Sequence, residues 1–406
     1  MGSSYEWIGF LLVSGLALVV AVALGSRLTH LWPPVLLLGA VAARILGATL
    51  RYEVLFVFYR GTGDALRYYN DSLPLVEALR SFDVSVLNPS FWLLDTHRWG
   101  TGFIVSLSSA VLWPLGPSLR GEFVVFSLLS FLGLYAIATA FARVQFERRI
   151  VYAAWIWFFP SLWFWPSSVG KESVLLLAIG IATLGYVGRR DKIGWAVLAA
   201  GVGLAFLVRP HVAAVLALSV GVAEWLRSWQ RMTARRAVEM AVIAIVGVGV
   251  LAGMSTQLVA QRPEFDNLTD LMLWQRDQTE QGGSNIGAAP LTPAGVPMAF
   301  VNIWMRPFLW EAHNLTALFA AAEITAFWGL VLWRRRETWA ALRNWRRHRL
   351  LRFGLPFLLG YTLMIGIAFG NLGIIARQRT LIFPFMLMFL LAVPELGPRR
   401  GARARV

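Results

Sequence analysis

Asp64, Lys171, Glu172, Arg209, Arg306, Glu311, Arg377 and Arg379 are the residues of this chain whose types and settings could do chemistry. Each stands at the edge of a long apolar run, where an ionisable group is costly unless it is solvated, paired or used. Asp64 follows Gly61-Thr62-Gly63 and precedes Tyr68-Tyr69. A carboxylate in such a turn at a membrane surface can take a proton from a hydroxyl and raise its nucleophilicity. An Asp there is equally suited to cap the helix that follows. Lys171-Glu172 closes the stretch Pro160-Ser161-Leu162-Trp163-Phe164-Trp165-Pro166-Ser167-Ser168-Val169-Gly170, and Lys171 is one of only two lysines among 37 basic residues. Serine, glycine and free amides at a helix start favour an anion, and Lys171 would add a charged donor, so a phosphate or pyrophosphate is the natural guest. The alternative is a capping arrangement in which Ser168 caps, Glu172 meets the helix dipole and Lys171 snorkels.

The other candidates are read in the same two ways. Arg209-Pro210-His211 joins two apolar runs with almost no loop. Arg209 is a candidate anion ligand or a snorkelling interface residue, and His211 reads more readily as structural. Arg306-Pro307-Phe308-Leu309-Trp310-Glu311-Ala312-His313 gathers Arg306, Glu311 and His313 at one boundary, as a site or as an Arg306–Glu311 pair fixing a turn. Arg377-Gln378-Arg379 precedes the last apolar run, and paired arginines suit bidentate phosphate binding or plain headgroup contact. Trp92, Trp99, Trp163, Trp165, Trp274 and Trp310 fall in the same segments. Aromatic faces suit sugar C–H surfaces, although a membrane-interface belt is the default for each tryptophan. The histidines are not spaced as metal ligands, and no resident cofactor is expected; carboxylates together with a bound pyrophosphate would suit Mg²⁺.

These residues must be positioned by membrane helices. Mean hydropathy is +0.61, 57% of residues are hydrophobic, and runs near the length of a bilayer span recur. The expected fold is all-α, a polytopic transmembrane bundle of about 11–13 segments in one domain, 1–406. The spans are placed near 7–24, 33–50, 101–115, 122–142, 150–165, 173–188, 193–208, 211–226, 236–255, 297–310, 312–333, 354–370 and 380–394. The first reads as a span rather than a cleavable leader. The net charge of +15 does not imply a nucleic-acid partner, because arginines cluster in short loops as the positive-inside rule expects. The clusters at Arg143 to Arg149, Arg189 to Lys192, Arg227 to Arg236 and the loop 334–352 therefore read as cytoplasmic. The polar loop 256–300 then faces outward, and 61–100 does so with 101–115 re-entrant or interfacial, the reading that Pro114, Gly116 and Pro117 favour; the alternative is a cytoplasmic 61–100 loop with 101–115 a full span. Within the first loop Leu73, Val76, Leu79 and Phe82 predict an amphipathic interfacial helix. The absence of cysteine excludes disulfides and thiolate chemistry.

The order of these pieces resembles the GT-C superfamily of integral membrane glycosyltransferases over about the first 190 residues. It is carried by the Gly63-Asp64 turn, the interfacial helix, the interrupted run 101–115, Arg148-Arg149 and the Pro166-Ser167 turn leading to an acid-headed helix. The Trp165-x-Ser167-Ser168-x-x-Lys171-Glu172 turn is also similar to those of polysaccharide repeat-unit polymerases and exopolysaccharide-cluster proteins. The chain departs from GT-C in carrying 33–50 before the loop and a single Asp64 in place of a paired acid. The resemblance implies a polyprenyl-linked sugar donor, a glycan or lipid acceptor, a bacterial inner-membrane location with an extracytoplasmic site, and Asp64 as general base. Glu172 and Glu311 are the alternative bases. The isoprenoid chain would lie between helices. Lys171, Arg209, His211, Arg306, His313, Arg377 and Arg379, with Tyr68 and Trp165, would hold phosphate and sugar. On this reading Lys171 captures phosphate and Glu172 is a helix-start residue. A lipid-sugar flippase would use the same groups, and a non-catalytic scaffold would scatter them.

Overall fold

The computed structural model describes residues 3–83, 100–189, 191–228, 284–290 and 292–392, with Asp270, Leu273, Trp274, Arg276 and Asp277 between them. The described residues are helical, and their one β-bridge joins Asn285 to Asn371. The helices are α1 (Ser3–Arg27), α2 (Pro34–Glu53, continued as a π turn Val54–Phe58), α3 (Asp64–Arg80), α4 (Thr101–Leu115), α5 (Leu119–Ala142), α6 (Arg149–Phe158), α7 (Pro160–Phe164) and α8 (Lys171–Gly188). They continue as α9 (Lys192–Val208), α10 (Pro210–Ser228), α11 (Gly295–Trp304), α12 (Leu315–Trp333), α13 (Arg335–Arg343), α14 (Arg349–Ala368), α15 (Leu372–Arg379) and α16 (Phe383–Leu391).

Six of these, α1, α2 with its π turn, α5, α8, α12 and α14, are long and apolar enough to cross a membrane, and a seventh span forms if the 56° bent pair α15–α16 counts as one. The protein is thus a multi-pass helical membrane protein with fewer clear spans than the sequence suggested. Among the described residues, α9 at 17 residues is one of the shorter apolar helices, and α10 is not among the candidate spans. Segment 101–115 is a 15-residue helix, and α11 stops after 10 residues at Trp304 rather than running to 310. The expected span 150–165 is broken at Pro160 into α6 and α7. The expected span 236–255 lies outside the described residues, as do Trp92, Trp99 and most of the loop 256–300.

The break at Pro160 exposes backbone groups that hydrocarbon cannot satisfy. Side chains from distant spans supply the partners. Arg44 of α2, fully buried, donates to the carbonyls of Leu162 and, at 3.4 Å, Trp157. Glu323 of α12 accepts from the Ser161 amide at 2.6 Å and from the Ser161 hydroxyl. Two ionisable residues inside the bundle are thereby explained as the clasps of a broken helix.

The centre of the bundle is α8, packed between α5 and α9. Small residues allow the approach, as in membrane bundles where close backbone contact replaces hydrophobic drive. A Cβ added at Gly180 would lie 2.2 Å from the Gly133 carbonyl oxygen of α5, and one at Gly133 would lie 2.2 Å from that of Leu176. At 18 residues and about 1.5 Å per residue, α8 carries Lys171-Glu172 at one end of the bundle and delivers the chain to Arg189 at the other.

Helix α3 forms where the amphipathic pattern placed it, but with a different buried face. Tyr68, Ser72, Leu75 and Val76 are buried, while Phe82 is 84% exposed. Steps of three residues drift by about 60° each around a helix, so the Leu73-Val76-Leu79-Phe82 series winds away from any one contact. The observed face follows the helical period. Ser72 is within 3.2 Å of Ser108 on α4, and the Ser108 hydroxyl donates to Glu122 on α5. This polar clasp sets α3, and with it Asp64, against the bundle.

Candidate functional site

Gly170 precedes the first turn of α8 and makes no side-chain cap, so the Ser168 capping arrangement does not form. Ser168 instead lies 3.5 Å from Arg51 Nη2. Glu172, 3% exposed, is far more than a helix-start residue. Its Oε1 accepts from Gln378 Nε2 at 2.8 Å and from Arg209 Nη2 at 3.2 Å; its Oε2 faces Arg377 Nη2 at 2.9 Å. The assignment of Glu172 to dipole compensation alone is therefore corrected: it is the hub on which three chain segments converge.

Arg209 reaches the hub because it sits in extended conformation between α9 and Pro210. Arg377 and Gln378 reach it from the last turn of α15, whose first turn is capped by Asn371 through the amides of Gly373 (2.9 Å) and Ile374 (3.2 Å). The motif precedes the last apolar run, as the sequence has it, and a helical turn fixes the separation of its side chains. Gln378 Oε1 accepts from Arg209 Nη1 at 2.5 Å and from the Tyr361 hydroxyl of α14 at 2.8 Å. Its amide thus orients Arg209 and Glu172 together.

Asp64 stands on the rim, 55% exposed, with Oδ2 3.4 Å from Arg377 Nη2. It does not cap α3. The cap position is Gly63 at φ +148°, a backbone conformation that favours glycine, and Asp64 is the first helical residue. The carboxylate is therefore directed to the cluster rather than consumed by its own helix. Tyr68, one turn on, lies within the electrostatic reach of Asp64, Glu172, Arg377 and Arg209. Burial, reinforced by the two carboxylates, pushes its hydroxyl up to about 12, so it stays a proton donor at neutral pH.

Lys171 Nζ donates to Thr101 Oγ1 of α4 at 3.1 Å, within range of the charges of Arg209, Glu172, Asp64 and Arg377. His211 is exposed beside Arg209 and Lys171. Trp165 and Phe164 each lie 5.3 Å from the guanidinium of Arg51, which in turn feels Arg377 and Glu172. Trp165 is thus a stacking partner for an arginine. Lys171, Arg209, Arg377 and Arg51 face the carboxylates of Asp64 and Glu172. The surplus is positive, in a setting where charge is only partly screened. Glu172 is held by three donors and is suited to orienting arginines, whereas Asp64 has open oxygen lone pairs. The arrangement can hold an anion and deprotonate a neighbouring hydroxyl.

The remaining candidates lie elsewhere. Arg306 and Glu311 pair with each other, Arg306 Nε lying 2.8 and 3.1 Å from the two carboxylate oxygens. Glu311 also accepts from the Phe308 amide at 2.9 Å, which closes the turn. Burial would raise the Glu311 carboxyl, but the Arg306 and Phe308 hydrogen bonds outweigh it and hold it below its ordinary value. His313 is exposed. Arg379 is buried and points away from Glu172, donating to the carbonyls of Arg306 at 2.7 Å and Ile303 at 3.2 Å. Thus Gln378 and Arg379, adjacent in sequence, serve opposite sides of α15.

Sequence reasoning missed Gln378, Tyr361, Thr101 and Arg51. Gln378 lay in plain view between two chosen arginines but carries no charge to mark it. Arg51 carried the same signal as Arg209, a cation closing an apolar run. No family model, no curated protein and no solved structure matches the chain.

Proposed function

We propose that this protein is a membrane glycosyltransferase that moves a sugar from a polyprenyl-(pyro)phosphate-linked donor to a glycan or lipid acceptor. The observation that carries the reading is the positive surplus around buried Glu172 with Asp64 at its exposed rim. A lipid (pyro)phosphate needs a cationic seat at the end of a bundle, and an acceptor hydroxyl needs an accessible carboxylate beside it. In the reaction, Asp64 takes the proton of the acceptor hydroxyl as its oxygen bonds to the anomeric carbon. The bond from that carbon to the phosphate oxygen breaks, and the electron pair leaves with the lipid (pyro)phosphate, whose charge Lys171, Arg209 and Arg377 neutralise. Glu172 and Gln378 hold the two arginines in place.

The proposed site faces the extracytoplasmic side of a bacterial inner membrane and serves cell-envelope polysaccharide assembly. The distribution of arginine supports this orientation. At the other end of α8, Arg189 pairs with Glu224, which Arg227 meets at 3.0 Å, while Arg189 also donates to the Tyr186 hydroxyl at 3.3 Å and Arg143 borders Gly188.

The test is to supply purified protein with a polyprenyl-pyrophosphate-linked sugar and an acceptor glycan and to follow saccharide products. Single-sugar addition, lost in Asp64→Asn, supports the transferase. A ladder of products from a lipid-linked oligosaccharide alone identifies a repeat-unit polymerase with the same chemistry. Translocation of the lipid-linked sugar in vesicles, with no product and no effect of Asp64→Asn, identifies a flippase and ends the proposal.

A further inference from the structure

The segment 334–352, expected as a basic loop, contains the helix α13, which follows the candidate span α12 directly. One side of α13 is fixed by Ala341, fully buried where α13 packs on α16. At about 100° per residue, the opposite side carries Trp339 among Arg335, Arg336 and Arg343, and Leu342 stands on the flank next to Arg335. Trp339 is 65% exposed, Leu342 and all three arginines are exposed, and Trp333 at the end of α12 is 80% exposed. Arg346 and Arg347, also exposed, extend the basic surface, and Glu337, 4.0 Å from Arg334, is the one acid on the helix.

A face that interleaves tryptophan and leucine with arginines has no use for plain water, since its apolar groups would stay wet. It has no use for the hydrocarbon interior either, since its guanidinium groups would lose hydration. The headgroup boundary satisfies both: Trp and Leu reach the acyl edge while arginines meet phosphates. We infer that α13 lies in the membrane interface at the end of the bundle opposite Glu172 and binds the headgroups of anionic phospholipids. The charge of the face selects anionic over zwitterionic lipid, with each arginine near such a surface shifting the equilibrium about fivefold. This surface is independent of the transferase reading.

The chain has no cysteine, so one introduced thiol can carry a probe. Leu342→Cys, with Trp339→Cys as a second site, is spin-labelled in the full-length protein and reconstituted into phosphatidylcholine vesicles with and without phosphatidylglycerol. Accessibility to oxygen and to a water-soluble nickel chelate gives depth. In the anionic vesicles the label is expected to be open to oxygen and shielded from nickel. High salt, or Arg335→Gln with Arg343→Gln, should move it toward water, each lost arginine by about fivefold in the interfacial-to-aqueous ratio. A label reached freely by nickel in anionic vesicles overturns the inference. So does equal depth in both lipids, which would mean apolar anchoring alone, or shielding from both reagents, which would mean a protein partner on this face.

Discussion

The guanidinium of Arg377 lies 2.9 Å from the carboxylate of Glu172, joining the last turn of α15 to the first turn of α8. Both helices belong to candidate spans, so this contact fixes how two membrane elements meet. Breaking a buried pair by removing one partner leaves an uncompensated charge, which costs about 3–5 kcal/mol. Glu172→Ala would strand Arg209 as well as Arg377 and is expected to destabilise the protein by that amount or more. Replacing both partners, as Glu172→Gln with Arg377→Gln, should recover part of the loss. Thermal unfolding of the native protein, Glu172→Gln, Arg377→Gln and the double variant in one detergent gives the coupling directly; additive losses would show that the contact contributes no pairwise stabilisation.

Part of this arrangement was legible in the sequence. Lys171, Glu172, Arg209 and Arg377 were visible because charge at the end of an apolar run against the arginine bias is costly, and Asp64 because a Gly-Asp turn precedes an amphipathic stretch. Hydrophobic periodicity gave the existence of α3 but not its face, since its buried positions include Ser72, whose partner is Ser108 on another helix. The break at Pro160 was hidden for the same reason. A proline within an apolar run can kink or break a helix, and the groups that make a clean break tolerable here, Arg44 and Glu323, come from α2 and α12. Long-range pairing of this kind leaves no local pattern. The separation of Arg306 and Glu311 from the Glu172 cluster likewise depends on which way the last residues of α15 point.

The Arg306–Glu311 turn should respond to acid. Glu311 titrates below its ordinary value of 4.5 in the folded protein. A depressed carboxyl stabilises above its unfolded pKa and loses that contribution as pH falls through the folded value. The turn is therefore expected to hold at neutral pH and to loosen progressively as pH drops below about 4.5. The Phe308 amide, which donates to Glu311, reports this through hydrogen exchange corrected for its intrinsic pH dependence. Protection should fall with acid in the native protein. In Glu311→Gln it should be lower at neutral pH and insensitive to acid; the same acid response in that variant would assign the change to another group.

The crossing of α5 and α8 is expected to tolerate no added side chain. Gly180 faces the Gly133 carbonyl so closely that an added Cβ would sit 2.2 Å from its oxygen. A flexible side chain can rotate aside, but a backbone carbonyl inside a helix can yield only if the helix itself moves. Gly180→Leu should therefore cost at or above the upper end of the ~1–3 kcal/mol typical of overpacking. It should also displace Lys171 and Glu172, because α8 carries them rigidly. Gly203 on α9 provides the contrast, since a Cβ there meets nothing within 4 Å. Gly203→Ala should be stabilising by about 0.4–1 kcal/mol, through reduced freedom of the unfolded chain. Unfolding in a graded denaturing detergent separates the two: early loss of helicity is expected for Gly180→Leu, and a midpoint at or above that of the native protein for Gly203→Ala. Equal tolerance at both positions would mean that α5 and α8 do not meet through their backbones.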